Sequence, residues 1–199
     1  DNSIHGILKA ELKGIPNTKN ISVTLDEQLI VEDSGCGMSA SELIDCVGYG
    51  VQLSDNCSYI SYAGTGVITG LAYINRENDS WFIASKKDGE AFMLEAPWQD
   101  TPNLYRLGEW PFAEQYNTVI GGKISNAVFP ELDIEELGQT YGFILKEYGI
   151  NLYLNNERVV PLTPAATSIF DNRENPETIE VDGHSVDIAY VQYDIPEGG

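Results

Sequence analysis

An acidic residue leaving a strand, with two glycines spaced two apart behind it, leaves a chain few ways to fold locally. Leu29-Ile30-Val31-Glu32 reads as a strand, and Asp33-Ser34-Gly35-Cys36-Gly37-Met38 follows it at once. A carboxylate so placed can read a base, and the glycines let backbone approach a ligand with no Cβ in the way. Taken alone, the same residues are a strand-ending turn. Three further stretches add weight: Asp1-Asn2-Ser3 upstream, Gly64-Thr65-Gly66-Val67-Ile68-Thr69-Gly70 downstream, and Asn117-Thr118-Val119-Ile120 beyond. Four stretches in that order make an ATP site the leading expectation.

The rest of the chain supplies a frame. Ile4, Ile7, Leu8 and Leu12 share one face of a helix over 1–12, which Gly14 and Pro16 end. Residues 21–25 alternate as a half-buried strand. Ser39-Ala40-Ser41-Glu42 fits a capping box that opens a short helix through Leu43, Cys46 and Val47. Residues 48–64 are polar and glycine-bounded, as a lid or binding loop would be, and 65–73 read as a further helix. Residues 81–85 and 91–95 form a hairpin around Lys87-Asp88-Gly89. The stretch 97–111, with Trp98 and Trp110, reads as an irregular surface loop or an edge. A strand over 118–125 and a helix over 134–148, stopped by Gly149, come next. Residues 152–154 and 158–160 make another hairpin, with Asn155-Asn156 at its turn. Past Pro161 and Pro164 the texture changes: 171–177 is polar, and 178–181 and 186–191 flank Asp182-Gly183 as a last hairpin. The expectation is an α/β class fold, an α+β two-layer sandwich over residues 1–163, with 164–199 starting a second module.

Charge and composition narrow the function classes. With 42% apolar residues in 199, the chain can bury a full core. Eleven Lys and Arg against thirty-one Asp and Glu give a formal charge of −20. That field repels nucleic-acid phosphate, so this segment is not expected to grip DNA by itself. No apolar run reaches the ~18 residues of a membrane span, and no signal peptide is visible. Cys36, Cys46 and Cys57 lack zinc-site spacing and read as reduced thiols, which places the chain in the cytoplasm. His5 and His184 are too far apart in sequence to imply a metal site. The chain opens at Asp1 in mid-helix without an initiator Met, and reads as a fragment or a processed piece.

Chemistry assigns roles within the four stretches. Asp33 accepts from the adenine amino group, and Thr118 shares that hydrogen bond or a water with it. The wrong base would leave a buried acceptor unpaired, at a cost of ~1–3 kcal/mol. Asn2 offers a neutral amide oxygen to Mg²⁺ beside phosphate oxygens. Gly64 and Gly66, with the helix behind them, present backbone N–H groups to phosphate.

Asp1-Asn2-Ser3-Ile4, Asp33-x-Gly35-x-Gly37-Met38, Gly48-Tyr49-Gly50, Gly64-x-Gly66 and Thr118 together resemble the ordered motifs of the GHKL ATPases. That family includes gyrase B subunits, MutL proteins, heat-shock chaperones of the ninety-kilodalton class and MORC proteins. The resemblance covers roughly residues 1–160 and lies nearest MORC-like, MutL-like and chaperone-like members. It implies a Bergerat-type mixed β-sheet with helices on one face, ATP and Mg²⁺ as ligands, and a transducer domain beginning after the first. The residues it implies at the nucleotide are Asn2, Asp33, Gly35, Gly37, Met38, Gly48, Gly64, Thr65, Gly66 and Thr118. Asn2 doubles as the metal ligand. It further implies lid closure, homodimerisation of the intact protein and ATP hydrolysis by a Glu that would lie before residue 1. The chain departs from the family at four places. His5 replaces an acidic residue, Gly50 and Gln52 stand where a Ser and a Lys are common, and Asn117 precedes Thr118 in place of Gly. Those departures leave a second expectation open, a non-hydrolysing scaffold or nucleotide-gated interaction module.

Overall fold

The computed structural model describes residues 2–47, 70, 80–97, 102–124, 132–161, 168–171, 177–181, 184–188 and 191–193. The chain divides into two compact units, Asp1–Pro161 and Leu162–Gly199. In the first, helices α1 (Asn2–Leu12), α2 (Ala40–Cys46) and α3 (Ile134–Tyr148) accompany eight strands. These are β1 (Asn20–Leu25), β2 (Gln28–Asp33), β3 (Ser80–Lys87), β4 (Glu90–Pro97), β5 (Asn103–Arg106), β6 (Thr118–Lys123), β7 (Asn151–Leu154) and β8 (Glu157–Arg158). One sheet takes them all, in the order β5-β4-β3-β6-β2-β1-β7-β8. β1 and β7 run parallel and every other neighbouring pair runs antiparallel, so the sheet is mixed. The fold is α+β.

Local chemistry explains the element ends. α1 stops in a Schellman turn: Gly14 is left-handed, its N–H donates to the Glu11 carbonyl, and Ile15 N–H reaches back to Ala10. The Ser39–Glu42 capping box opens α2 as the sequence predicts, each side chain bonding the other's backbone N–H. Asp133 caps α3, and left-handed Gly149 closes it. The two tight hairpins turn on Asp88-Gly89 and Asn155-Asn156, all four with positive φ. That is the primed-turn geometry that suits the twist of the flanking strands. The stretch expected to be an irregular surface loop or an edge holds β5, an edge strand exposed along its whole length. Its lack of a buried face is why no alternation announces it.

Register across the sheet shows where the core lies. Ile21 pairs with Leu152, Val23 with Val31 and Leu154, Val31 with Ile120, and Ile120 with Ile83, which pairs with Leu94. These residues therefore fall on one face. Ile4, Ile7 and Leu145 pack onto its β1–β7 end, and Leu43 packs onto its β3–β4 end. The three helices so described lie on the same face, giving two layers. The reverse face is closed near β3 by the segment before β6, where Phe112 stacks on Phe82 at 5.8 Å and meets Trp110 edge-on. Gly121 is needed there, since a Cβ would meet the Phe82 ring at 2.4 Å.

The second unit holds two short antiparallel pairs. β10 (Glu177–Val181) pairs with β11 (His184–Ile188), the hairpin expected around Asp182-Gly183. β9 (Ser168–Asp171) pairs with β12 (Val191–Tyr193), so the expected strand 186–191 is divided between two pairs. Among the described residues, no helix is long and apolar enough to cross a membrane.

Burial predicts a sharp contrast in stability. Ile83 is fully buried while Ile44, on α2, is 53% exposed. Ile83→Ala should cost ~2–5 kcal/mol of unfolding free energy, and Ile44→Ala should stay within ~0.5 kcal/mol, as urea titrations will read.

Candidate functional site

Asp33 is the last residue of β2, and Thr118 opens β6 directly across from it. On β6's other side Ser85 of β3 faces Thr118. All three are buried, on the helix-covered face. A hydroxyl carries a single proton, and that of Ser85 goes to the Asn117 carbonyl at 2.8 Å. Ser85 Oγ therefore accepts, both from Met38 N–H at 2.8 Å and from Thr118 Oγ1 at 3.2 Å. Thr118 is left with free acceptor lone pairs beside the Asp33 carboxylate.

The loop after Asp33 is pinned from every side. Gly35 N–H donates to Asp33 Oδ1 at 2.9 Å, and Cys36 N–H donates to the Gly6 carbonyl of α1 at 3.1 Å. Asn117 Nδ2 donates to the Gly35 carbonyl, and Asn117 N–H to the Asp33 carbonyl. Ser34 Oγ receives the Asn20 N–H. Both loop glycines face backbone of the protein itself. A Cβ on Gly35 would lie 2.6 Å from the Gly6 carbonyl carbon. On Gly37, at φ +65°, it would lie 2.0 Å from the Lys86 carbonyl oxygen. Glycine is thus demanded here by the seating of α1 and β3, whatever the loop also binds.

Burial pushes the Asp33 carboxyl up from its ordinary 3.8 to about 6, against the Gly35 N–H bond and the Ser3 hydroxyl, which favour the charge. His5 is lowered, first by burial and then by Lys9, and is neutral at pH 7. Burial likewise raises the Cys36 and Cys46 thiols, Cys46 to about 12, so neither is a ready nucleophile. Both are free cysteines. Glu42 is lowered, since the Lys87 ammonium 2.6 Å away and its Ser39 bonds outweigh its burial.

Of the expected residues, the structure gathers Asp33, Gly35, Gly37, Met38 and Thr118 at one end of the sheet. Asn2 is exposed on the first turn of α1, beside Ser3, whose side chain bonds Asp33. Gly48, Gly64, Thr65 and Gly66, with the lid over 48–64 and the helix over 65–73 (Gly70 aside), lie outside the described residues. Gly6, Ser3, Ser85 and Asn117 complete the cluster without having been assigned to it. Gly6 carried a signal: glycine inside a helix costs ~1 kcal/mol against alanine and asks for a packing reason. Ser85 carried none, while Ser3 and Asn117 stood inside the quoted stretches without an assigned role.

Behind the loop, at the β3–β4 turn, a cleft of about 400 Å³ is bordered by Cys36, Lys86, Lys87, Trp110 and Asn117. Its ammonium groups are engaged, Lys86 with Glu114 and Lys87 with Glu42. Among the described residues, no group of three His, Cys, Asp or Glu could cage a metal. A cation beside Asn2 would take most of its oxygens from phosphate and water, as Mg²⁺ commonly does. No family model matches the chain, and no curated protein matches it in sequence.

Two outcomes test the site as built. Gly37→Ala should destabilise by ~2 kcal/mol or more through clash and positive-φ strain. Gly6→Ala, whose Cβ would meet nothing closer than 3.6 Å, should be neutral or stabilising by up to ~1 kcal/mol. The pH dependence has a definite sign. The folded carboxyl keeps its proton to higher pH than the unfolded one. Its contribution to stability is complete below the unfolded value and is lost as pH rises through about 6. Asp33→Asn should therefore gain ~2–3 kcal/mol on wild type between pH 3.5 and 7.5, read from urea midpoints at both pH values. A pH-independent difference would contradict the burial of this charge.

Proposed function

We propose that the first unit binds Mg-ATP in the manner of the GHKL ATPases, with the adenine amino group on Asp33. The observation that carries this reading is a buried carboxyl, ionised above about pH 6, beside the free lone pairs of Thr118 and below the first turn of α1. The Gly35 N–H and the Ser3 hydroxyl already donate to this carboxylate, and an exocyclic amine is a further donor for its remaining lone pairs. Asn2 supplies an amide oxygen toward Mg²⁺, whose role is to neutralise phosphate charge. Gly35, Gly37 and Met38 border the base, while Gly48, Gly64, Thr65 and Gly66 are assigned to the phosphates by the motif order. Closure of 48–64 over the nucleotide then promotes homodimerisation of the intact protein, and hydrolysis by a water held in line with the γ-phosphate resets it. Free Cys36 and Cys46 thiols fit a reducing cytoplasm.

A second reading is favoured by His5. The position that is acidic in the family holds an imidazole kept neutral by burial and Lys9. A neutral group there suits a module that binds nucleotide and signals by closure without turnover.

Calorimetry decides the adenine assignment. Wild type should bind Mg-ATP at pH 7.5, and Asp33→Asn should lose ~10–100-fold in affinity. Because the ionised carboxyl is the stronger acceptor, wild-type affinity should fall by up to about tenfold between pH 7.5 and 5, more than that of the variant. Equal affinities for wild type and variant would remove the assignment. Steady phosphate release by the longer protein would exclude the non-hydrolysing reading.

A further inference from the structure

A cavity of about 260 Å³ lies between α1, α3 and the β1–β2–β7 part of the sheet. Val23, Val31 and Leu152 form its floor, and Leu137 and Leu145 of α3 face them. Ser3 and Tyr141 are the polar side chains on its wall, and none of the described residues lining it is charged. An apolar cavity of ~150 Å³ already holds benzene, so this one has room for a ring with small substituents. Aliphatic walls with one or two hydroxyls are the usual make-up of a small-molecule pocket. None of the described lining residues offers a charged ligand a counter-charge, so the space suits an uncharged ligand better than the phosphates of a nucleotide. The space is thus distinct from the Asp33 cluster, sharing with it only Ser3.

We propose that this cavity is a binding site for a small uncharged monocyclic aromatic ligand of substituted-phenol type. Its ring lies against Val23, Val31, Leu137 and Leu152, and its polar substituent meets the Ser3 or Tyr141 hydroxyl. The proposal stands on the cavity alone and not on nucleotide binding, so each can fail without the other.

The probe is p-cresol, added to the full chain without nucleotide and followed by methyl NMR. Saturable shifts should concentrate on Val23, Val31, Leu137 and Leu152. Its charged counterpart p-toluate should bind at least tenfold more weakly. Val23→Phe, which fills the space, should reduce p-cresol affinity at least tenfold without lowering the melting temperature. If that variant fails to fold, Leu137→Phe takes its place, and the wild-type shift map remains decisive. The proposal is overturned if wild type shows no saturable binding at millimolar p-cresol. Shifts centred elsewhere, equal binding of p-toluate, or undiminished binding by a folded filled variant also overturn it.

Discussion

The seating of α1 on the strand-end loop governs the arrangement of the first unit. One hydrogen bond, from Cys36 N–H to the Gly6 carbonyl, ties the helix to the loop where Gly35 lets the two backbones meet. A helix-interior carbonyl is ordinarily consumed within its own helix, so this outside donor fixes both the position and the rotation of α1. That rotation puts Ser3 on the Asp33 carboxyl and leaves Asn2 exposed at the helix start. It also turns Ile4 and Ile7 down onto β1 and β7. The apolar layer and the polar cluster are two results of one contact.

The polar cluster is unusual mainly in how little slack it has. Ser85 and Asn117 bond the Met38 amide and the Gly35 carbonyl of the loop, so these groups around Asp33 are already oriented. Pre-oriented partners cost a ligand little reorganisation, which suits recognition of a small polar edge better than a broad surface. The formal charge of −20 acts on solubility and long-range approach.

Much of this was legible in the sequence, for identifiable reasons. The Ser39–Glu42 box, the stops at Gly14 and Gly149, and the turns at Asp88-Gly89 and Asn155-Asn156 are short-range chemistry, and each stands where its residues predicted. Asp33 and Thr118 could be paired only through motif order, since 85 positions of chain separate two residues that sit opposite each other. Ser85 had no signal at all, and Asn117 stood out only as a departure from the resemblance: a serine in a strand and an asparagine before one gain their roles only when three strands bring them together. β5 could be read only as a loop or an edge, because the strand is exposed along its whole length. The β9–β12 pair escaped because each strand is short and its partner is not the next in sequence.

The parallel pairing of β1 with β7 joins Asn20 to Asn151, near opposite ends of the first unit. Until β7 arrives, β1 is a bare edge, and its apolar face lacks the Leu152 and Leu154 side chains that complete it. On the ribosome, the β1–β2 hairpin must therefore wait for well over a hundred further residues before its flank is closed. Such long-range closure slows folding and prolongs exposure to other nascent chains. Synthesis of this unit gives chaperones a defined interval in which to shield that edge.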